Sequence, residues 1–448
     1  MNSLKIAVVG SGIAGLSAAW LLSQRHDVTL IEADSRIGGH SNTVNCETPD
    51  GSVPVDTGFI VYNDTTYPNL TALFEYLGVP TAASNMGFGV SLNHGAYEYS
   101  GAGISHLFGG MANLANPDHW RMIRDLVRFF RSASRQGNHL SDDITLRDFV
   151  KIQGYSQAFI DLHLLPVAGA IWSSTPNQML DYPARSFLAF FENHGLLKFY
   201  YRPQWRTVVG GSGEYVQRLV DDSLMRTATN CPVRGIERTD LGVTLYGDKG
   251  YRESFDHVVI GAHADQALAM LANPTEQETQ ILSAFRYTTN RAVLHRDETL
   301  MPRRRRLWSS WNYVSDTDAS KGSGAVTYWM NALQPLNTKT NLFVTLNPVR
   351  EPAPGTVEQE FSYAHPVFNT QTGAAQKHLW SLQGQNRTWF CGAHFGSGFH
   401  EDGLQAGLAV AEQLGGALRP WNVANQSGRI HVIPHMQQPK PHQLEAAE

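Results

Sequence analysis

Apolar and polar positions change period along the chain, and the changes mark its elements. Ile6-Ala7-Val8-Val9 is an unbroken run rich in β-branched residues, as a strand buried on both faces requires. Closely spaced glycines follow, Leu16 to Ser23 reads as helix, and Val28-Thr29-Leu30-Ile31 reads as a second strand. Near the other end, Trp389-Phe390-Cys391 predicts a strand, followed by a glycine-rich loop and an apolar helix to about Leu414. Between these ends lie two regions of different pattern. Residues 76–204 are predicted mostly helical. Residues 266–384 carry short runs rich in β-formers (Arg291 to His295, Leu307 to Val314, Val326 to Met330, Leu342 to Leu346), which predict an antiparallel sheet. From Arg419 periodicity is lost, and the tail 419–448 is expected to be loosely ordered.

The first block carries chemistry. Gly10-Ser11-Gly12-Ile13-Ala14-Gly15 fits G-x-G-x-x-G between a strand and a helix, and Glu32 closes the second strand 20 residues after Gly12. The first glycine allows the tight turn, the second lets the backbone approach a pyrophosphate, and the third lets helix pack on strand. The helix N-terminus then faces the anion. Glu32 suits a ribose diol and disfavours a 2′-phosphate. The stretch Ile6 to Leu22 is also as long as a short membrane span, but three glycines and two serines interrupt it and a clear cleavage region is missing.

Composition narrows the class. In 448 residues, 35 basic against 40 acidic side chains give a net charge of −5, which disfavours nucleic acid as the main partner. Cys46, Cys231 and Cys391 are odd in number and widely spaced, so neither a disulfide framework nor a metal site is expected and a cytoplasmic protein fits. The stretch Pro117 to Gly137 places Arg121, Arg124, Arg128, Arg131 and Arg135 within an arc of about 80° at about 100° per residue. Two readings stand for it: a core-packed helix with a solvated arginine face, or a surface for anionic lipid headgroups that would hold the protein on the inner membrane face. Arg303-Arg304-Arg305-Arg306 beside Trp308 and Trp311 admits the same pair, a charged turn or a lipid interface.

The fingerprint alone does not separate NAD from FAD. Further glycine pieces occur in order: Arg36-Ile37-Gly38-Gly39-His40, Val55-Asp56-Thr57-Gly58, Thr207 to Gly213, Pro232-Val233-Arg234-Gly235-Ile236, Asp256 to Ala262, and Gly392 to Gly407. Together they resemble the flavin amine oxidase superfamily, which includes monoamine oxidases, carotenoid desaturases and protoporphyrinogen oxidase. The resemblance implies an α/β fold: a Rossmann-type FAD domain from 1–75, 205–265 and 385–418, with 76–204 and 266–384 forming the substrate domain. It implies FAD held by Gly10, Gly12, Ile13, Ala14, Gly15, Glu32, Ala33, Arg36, Gly38, Gly39, His40, Thr57, Gly58, Phe59, Val233, Gly392, Glu401, Asp402 and Leu404. No second nucleotide fingerprint appears, so oxygen or another acceptor would reoxidise the flavin.

A narrower resemblance covers most of the chain. Gly38 to Thr43, Asp56 to Asn63, Leu300-Met301-Pro302, Trp308 to Tyr313, Val326 to Asn331 and Val344 to Pro348 resemble bacterial FAD-binding proteins encoded beside cyclopropane-fatty-acid synthase-like methyltransferases. A similar flavin domain is fused to plant cyclopropane synthases. This implies redox work on a phospholipid-linked fatty acyl chain, by desaturation or double-bond isomerisation, with a methyltransferase as a further partner.

Where amine oxidases place a lysine, the matching position carries Arg291, which does not deprotonate. Phe399 matches one ring of the family's aromatic cage. Tyr62 and Asn63 are expected to line the flavin face. Six histidines, His40, His94, His163, His295, His394 and His400, are candidate acid–base groups among 18, with His394 and His400 favoured because they flank the flavin loop. Candidate catalytic residues are therefore Arg291, Phe399, Tyr62 and His394. Competing functions are an oxidase or desaturase for an amine or terpenoid, and a non-catalytic flavin-stabilised partner of a lipid methyltransferase.

Overall fold

The structure is a computed structural model that describes residues 3–433 except 138, 142, 173–174, 194, 198–202 and 318–323. Five parallel strands form one sheet in the order Arg226–Ala228, Asp27–Ile31, Lys5–Val9, His257–Ile260, Thr388–Phe390. Its strands come from the start, middle and end of the chain, as the scattered glycine motifs imply. The helix Ile13–Ser23 is buried along its whole length, between this sheet and the helix His400–Gln413. Its apolar character on all sides accounts for that. The two helices touch backbone to backbone: a Cβ on Gly407 would lie 2.1 Å from the carbonyl oxygen of Ala14.

The second sheet has seven strands, in the order Val357–Val367, Arg286–His295, Phe343–Leu346, Ala325–Trp329, Trp311–Val314, Phe88–Leu92, Tyr97–Ser100. Two features differ from expectation. The hairpin 88–100 comes from the region read as helical, and Phe88–Leu92 runs parallel to Trp311–Val314, so the sheet is mixed. The 11-residue strand Val357–Val367 was hidden by its Glu358-Gln359-Glu360 start, which lies on an edge where charge is tolerated. One face of this sheet packs on the helices 117–193 through a second core that includes Ala292, Leu294, Val344 and Leu346.

The tail is a correction. Residues 419–430 dock on the dinucleotide domain: the Trp421 ring stacks on Trp20 at 6.0 Å, Arg419 is buried on Glu412, and Ile430 is 7% exposed. Lone aromatic and arginine side chains, rather than a periodic stripe, hold this segment, which is why no pattern announced it. Residues 434–448 lie outside the described residues.

Candidate functional site

The glycine loop folds as its spacing requires. Gly10 has φ +94°, and a Cβ on Gly15 would lie 2.0 Å from the Gly10 carbonyl oxygen. Nothing lies within 4 Å of a Cβ on Gly12, and no side chain caps the helix that Gly12 opens. The first helical N–H groups therefore have no side-chain acceptor, the arrangement that receives an anion. Glu32 accepts hydrogen bonds from the Ser11 N–H (2.8 Å) and hydroxyl (2.6 Å), so it stands against this turn.

Two further loops close on the same place. The Gly38 N–H donates to Ser11, and a Cβ on Gly39 would meet the Gly12 Cα at 2.9 Å. Arg36 donates to the carbonyls of Gly39 and Ser41, fixing that loop. A Cβ on Gly58 would strike the His40 carbonyl oxygen at 2.2 Å, so the 56–59 loop packs directly on His40. Thr57 bonds the Asn42 carbonyl and the Tyr363 hydroxyl, and Phe59 stacks on His400 at 3.8 Å. From the C-terminal side, Gly403 packs on Ile13 and Ala14, and Gly392 leaves room for the His394 ring. Val233 stands two residues after Cys231, whose N–H donates to the Glu32 carbonyl. Ala33 is exposed at the end of the second strand and Leu404 is buried in the helix His400–Gln413.

Glu401 and Asp402 reach this region by main chain only. The Glu401 carboxylate turns to Asn69, Leu70 and Gln405, and Asp402 turns to Arg429 and to the N–H groups of Ser397 and Phe399. Burial raises both pKa values. The Asp402 N–H donates to the Phe399 carbonyl at 3.0 Å, so of these two only the Glu401 N–H, at the start of a 14-residue helix, is in a position to serve a bound group.

The site is lined with histidines. His40 lies 5.5 Å from His365 and 6.4 Å from His263, ring centre to ring centre, with Tyr363 at 5.0 Å. Burial lowers all their pKa values: His365 to about 4, His394 and His400 to about 3, with His40 and His263 also lowered. All are neutral at pH 7. The Nε2 atoms of His40 and His394 are buried without a hydrogen-bond partner, a cost that proteins accept where another group completes the pair. Open helix N–H groups, a backbone cradle and orphaned ring nitrogens together fit a large polar cofactor with an anionic middle.

Two expected catalytic residues, Arg291 and Tyr62, stand elsewhere. Arg291 projects from the opposite face of its strand. Its neighbour Asn290 faces the site, and adjacent strand residues point to opposite faces. The Arg291 guanidinium is held by Glu351 (2.7 Å) and Glu360 (2.7 Å) and is 39% exposed. Arg291→Gln is therefore expected to keep its cofactor content and its turnover within about twofold, since exposed pairs contribute under about 1 kcal/mol. A tenfold loss in either measurement would return Arg291 to the site. Tyr62 is buried edge-on against Phe74 and Tyr67 in the aromatic core. Among the histidines, His94 pairs with Asp316 at the surface, His163 bonds Tyr99, and His295 bonds Thr345 in the outer sheet. Phe399 and His394 do border the cluster, Phe399 stacked on Phe190 at 4.6 Å.

Sequence reading missed His263 and His365. His263 follows Ile260-Gly261-Ala262 at the carboxyl end of a parallel strand, a position known to favour ligands. His365 had no local signal, because sheet register alone brings it to His40.

Comparison with known proteins agrees with this geometry. The family model for flavin containing amine oxidoreductases matches residues 13–415. Amine oxidase [flavin-containing] A of Canis lupus familiaris is 26% identical over 267 residues, 54% of this chain and 46% of that enzyme. The chain thus spans about half the length of the curated relatives it matches. Cyclohexylamine oxidase from Brevibacterium oxydans superposes with a TM-score of 0.66 at 16% identity, over 92% of this chain and 100% of that one. A CLA-producing fatty acid isomerase from P. acnes superposes with a TM-score of 0.63 at 15% identity, over 91% and 97%. The chain belongs to the flavin-containing amine oxidoreductase family, whose cofactor is FAD.

Proposed function

We propose that this protein is an FAD-dependent oxidoreductase that desaturates a hydrophobic, fatty-acyl substrate or moves its double bond. The wall beside the histidine cluster carries the reading: Phe399 stacks on Phe190, and Phe190 packs on Trp172 at 4.8 Å and on Phe191. These rings offer an apolar chain a dry surface. The histidines nearby are neutral and give a substrate cation no counter-charge, which disfavours binding an ammonium in its charged form.

FAD would be held at its pyrophosphate by the N–H groups from Gly12 to Gly15, at its ribose by Glu32 with Ala33 and Arg36, and at its adenine by the Val233 main chain. Its ring end would lie against Gly38-Gly39-His40, Thr57-Gly58-Phe59, Gly392 and the first N–H groups of the helix containing Leu404. When bound, it supplies a hydride acceptor. This chain's part is to exclude water with Phe190 and Phe399, and to orient the acyl chain along them. His394 and His40 offer ring nitrogens to the bound groups.

Met111, Leu114 and Trp120 are exposed, at 80%, 38% and 48%. They lie near both arginine runs: Arg304 approaches Gly110, Arg306 bonds the Gly109 carbonyl, and Arg121 is one residue from Trp120. This supports an anionic membrane surface as the place where substrate is met. Part of the charge is already engaged, since Arg124 and Arg128 pair with buried Asp125 and Arg304 with buried Glu98. No helix among the described residues is long and apolar enough to cross a membrane. A methyltransferase partner rests on sequence resemblance and is tested by pull-down from the native host.

The second reading is oxidation of another hydrophobic substrate, an amine or terpenoid, and the curated amine oxidase relatives favour it. Anaerobic mixing decides. Phospholipid vesicles with unsaturated or methyl-branched chains are expected to sediment the protein and give altered acyl chains by mass spectrometry, with the flavin bleached by desaturation and left oxidised by an isomerisation that returns the hydride. Bleaching by amines alone would overturn the acyl reading. Flavin that no substrate reduces, with no altered acyl chain recovered, would favour the non-catalytic alternative.

A further inference from the structure

Three side chains between the second sheet and the histidine cluster form a hydrogen-bonded chain whose direction is set at both ends by the main chain. At one end, Asn347 Oδ1 accepts from the Arg291 N–H at 3.0 Å. A backbone N–H can only donate, so this contact fixes the Asn347 amide and makes its Nδ2 the free donor. That Nδ2 donates to Asn290 Oδ1 at 2.7 Å. Asn290 must then present its own Nδ2 outward. It does so to the Thr288 carbonyl at 3.2 Å, which can only accept, and to His365 Nδ1 at 3.1 Å. Both ends demand the same orientation, so neither amide can turn over without losing a bond to the main chain. Asn347 holds its place with φ +48°, a conformation that asparagine tolerates.

His365 is neutral because burial and nearby His263 lower its pKa to about 4. A neutral imidazole carries one N–H. With Nδ1 accepting from Asn290, that hydrogen is on Nε2. Among the described residues no protein acceptor receives a hydrogen bond from this Nε2, while the His365 ring stands beside His40 at the mouth of the flavin loops.

We propose that Asn347 and Asn290 are positioning residues that lock His365 as its Nε2-protonated tautomer, so that it offers a permanent hydrogen-bond donor to an acceptor atom of the bound flavin. This rests on the FAD reading for the identity of the acceptor. The tautomer itself follows from the protein alone. The asparagine at 290, one residue from the arginine that sequence alignment favoured, would thus act on the site without touching its ligand.

Histidine-labelled protein gives the test by long-range ¹H–¹⁵N NMR, with the His365 signals assigned by their loss in His365→Gln. The expected result is a bare Nδ1 and a protonated Nε2 in the wild type, with the Nε2–H signal shifting when FAD is loaded. In Asn290→Asp a carboxylate faces Nδ1 and can only accept, so the proton should move to Nδ1. Should that variant fail to fold, Asn347→Asp keeps the Arg291 contact but cannot donate to Asn290. The Asn290 amide is then free to turn, and both tautomers should appear. A protonated Nδ1 and bare Nε2 in the wild type, or an unchanged tautomer in every variant that folds, would overturn the lock. An Nε2–H signal that FAD leaves unmoved would overturn the donor role. A protein that takes up no FAD would refute the cofactor reading, while the ring nitrogens would still report on the lock.

Discussion

Lowering the pH from 7 to 5 is expected to remove several kcal/mol of folding stability. His163, His295 and His365 have pKa values lowered to about 4, and His394 and His400 to about 3, in each case first by burial. In the unfolded chain a histidine titrates near 6.5. Between that value and the folded one, the unfolded state binds more protons, so stability falls as pH falls. Each group then loses about 2 kcal/mol by pH 5. Asp56 acts in the opposite sense. Its pKa is raised to about 6 by burial, against the pull of Thr43 and Ser212. The folded state therefore takes up the extra proton and recovers about 1 kcal/mol over the same range. Five histidines outweigh one aspartate, and the raised values of Glu401 and Asp402 only reduce the margin. Urea unfolding of the holoenzyme between pH 8 and 5 checks this. A midpoint that holds or rises below pH 6.5 would show that these rings are not buried as neutral groups.

Removing Arg429 is expected to strip the protein of flavin and lower its melting temperature by many degrees. The Arg429 Nε lies 2.7 Å from Asp402 Oδ1, its Nη1 donates to the Thr66 carbonyl, and its ring contact is Tyr67 at 5.7 Å. Asp402 is fully buried and its Oδ2 accepts from the N–H groups of Ser397 and Phe399, the loop that leads into the helix at the flavin site. Taking one partner from a buried pair costs about 3–5 kcal/mol, because the other charge is left unpaired. In Arg429→Ala that uncompensated charge sits directly under the loop. Arg429→Lys restores charge without the fork of donors and should recover only part of the loss. Thermal unfolding and flavin-to-protein absorbance ratios read both effects. If Arg429→Ala keeps its flavin and melts within about 2 °C of wild type, the docked tail is not a support for the site.

These two results concern features of different visibility. The dinucleotide half was legible because its demands are local. A β-branched run, three glycines at fixed spacing and an acid at the end of the next strand each answer to a constraint within about 30 residues, so Gly10, Gly15 and Glu32 could be placed from order alone. The substrate half was less legible. The strand Val357–Val367 begins with charged residues and carries His365 near its end, and only pairing with Arg286–His295 puts that ring beside His40. The docked segment around Arg429 has no period to detect, because it is held by single buried contacts.

The contrast between Asn290 and Arg291 shows where the boundary falls. The sequence by itself determined that a strand occurs here in a chain of the flavin-containing amine oxidoreductase family, and it raised the expectation that residues near 291 approach the site. Which of two neighbours faces the site was decided by tertiary structure. Strand side chains alternate, so a register shift of one residue exchanges the inside for the outside. Strand pairing sets that register across a separation of some 70 residues, Asn290 opposite Tyr363. Long-range pairing likewise gathered five histidines from four distant stretches into one cluster, His394 buried and the other four half-buried. Their neutrality follows from that burial and not from any property of the histidines in the unfolded chain.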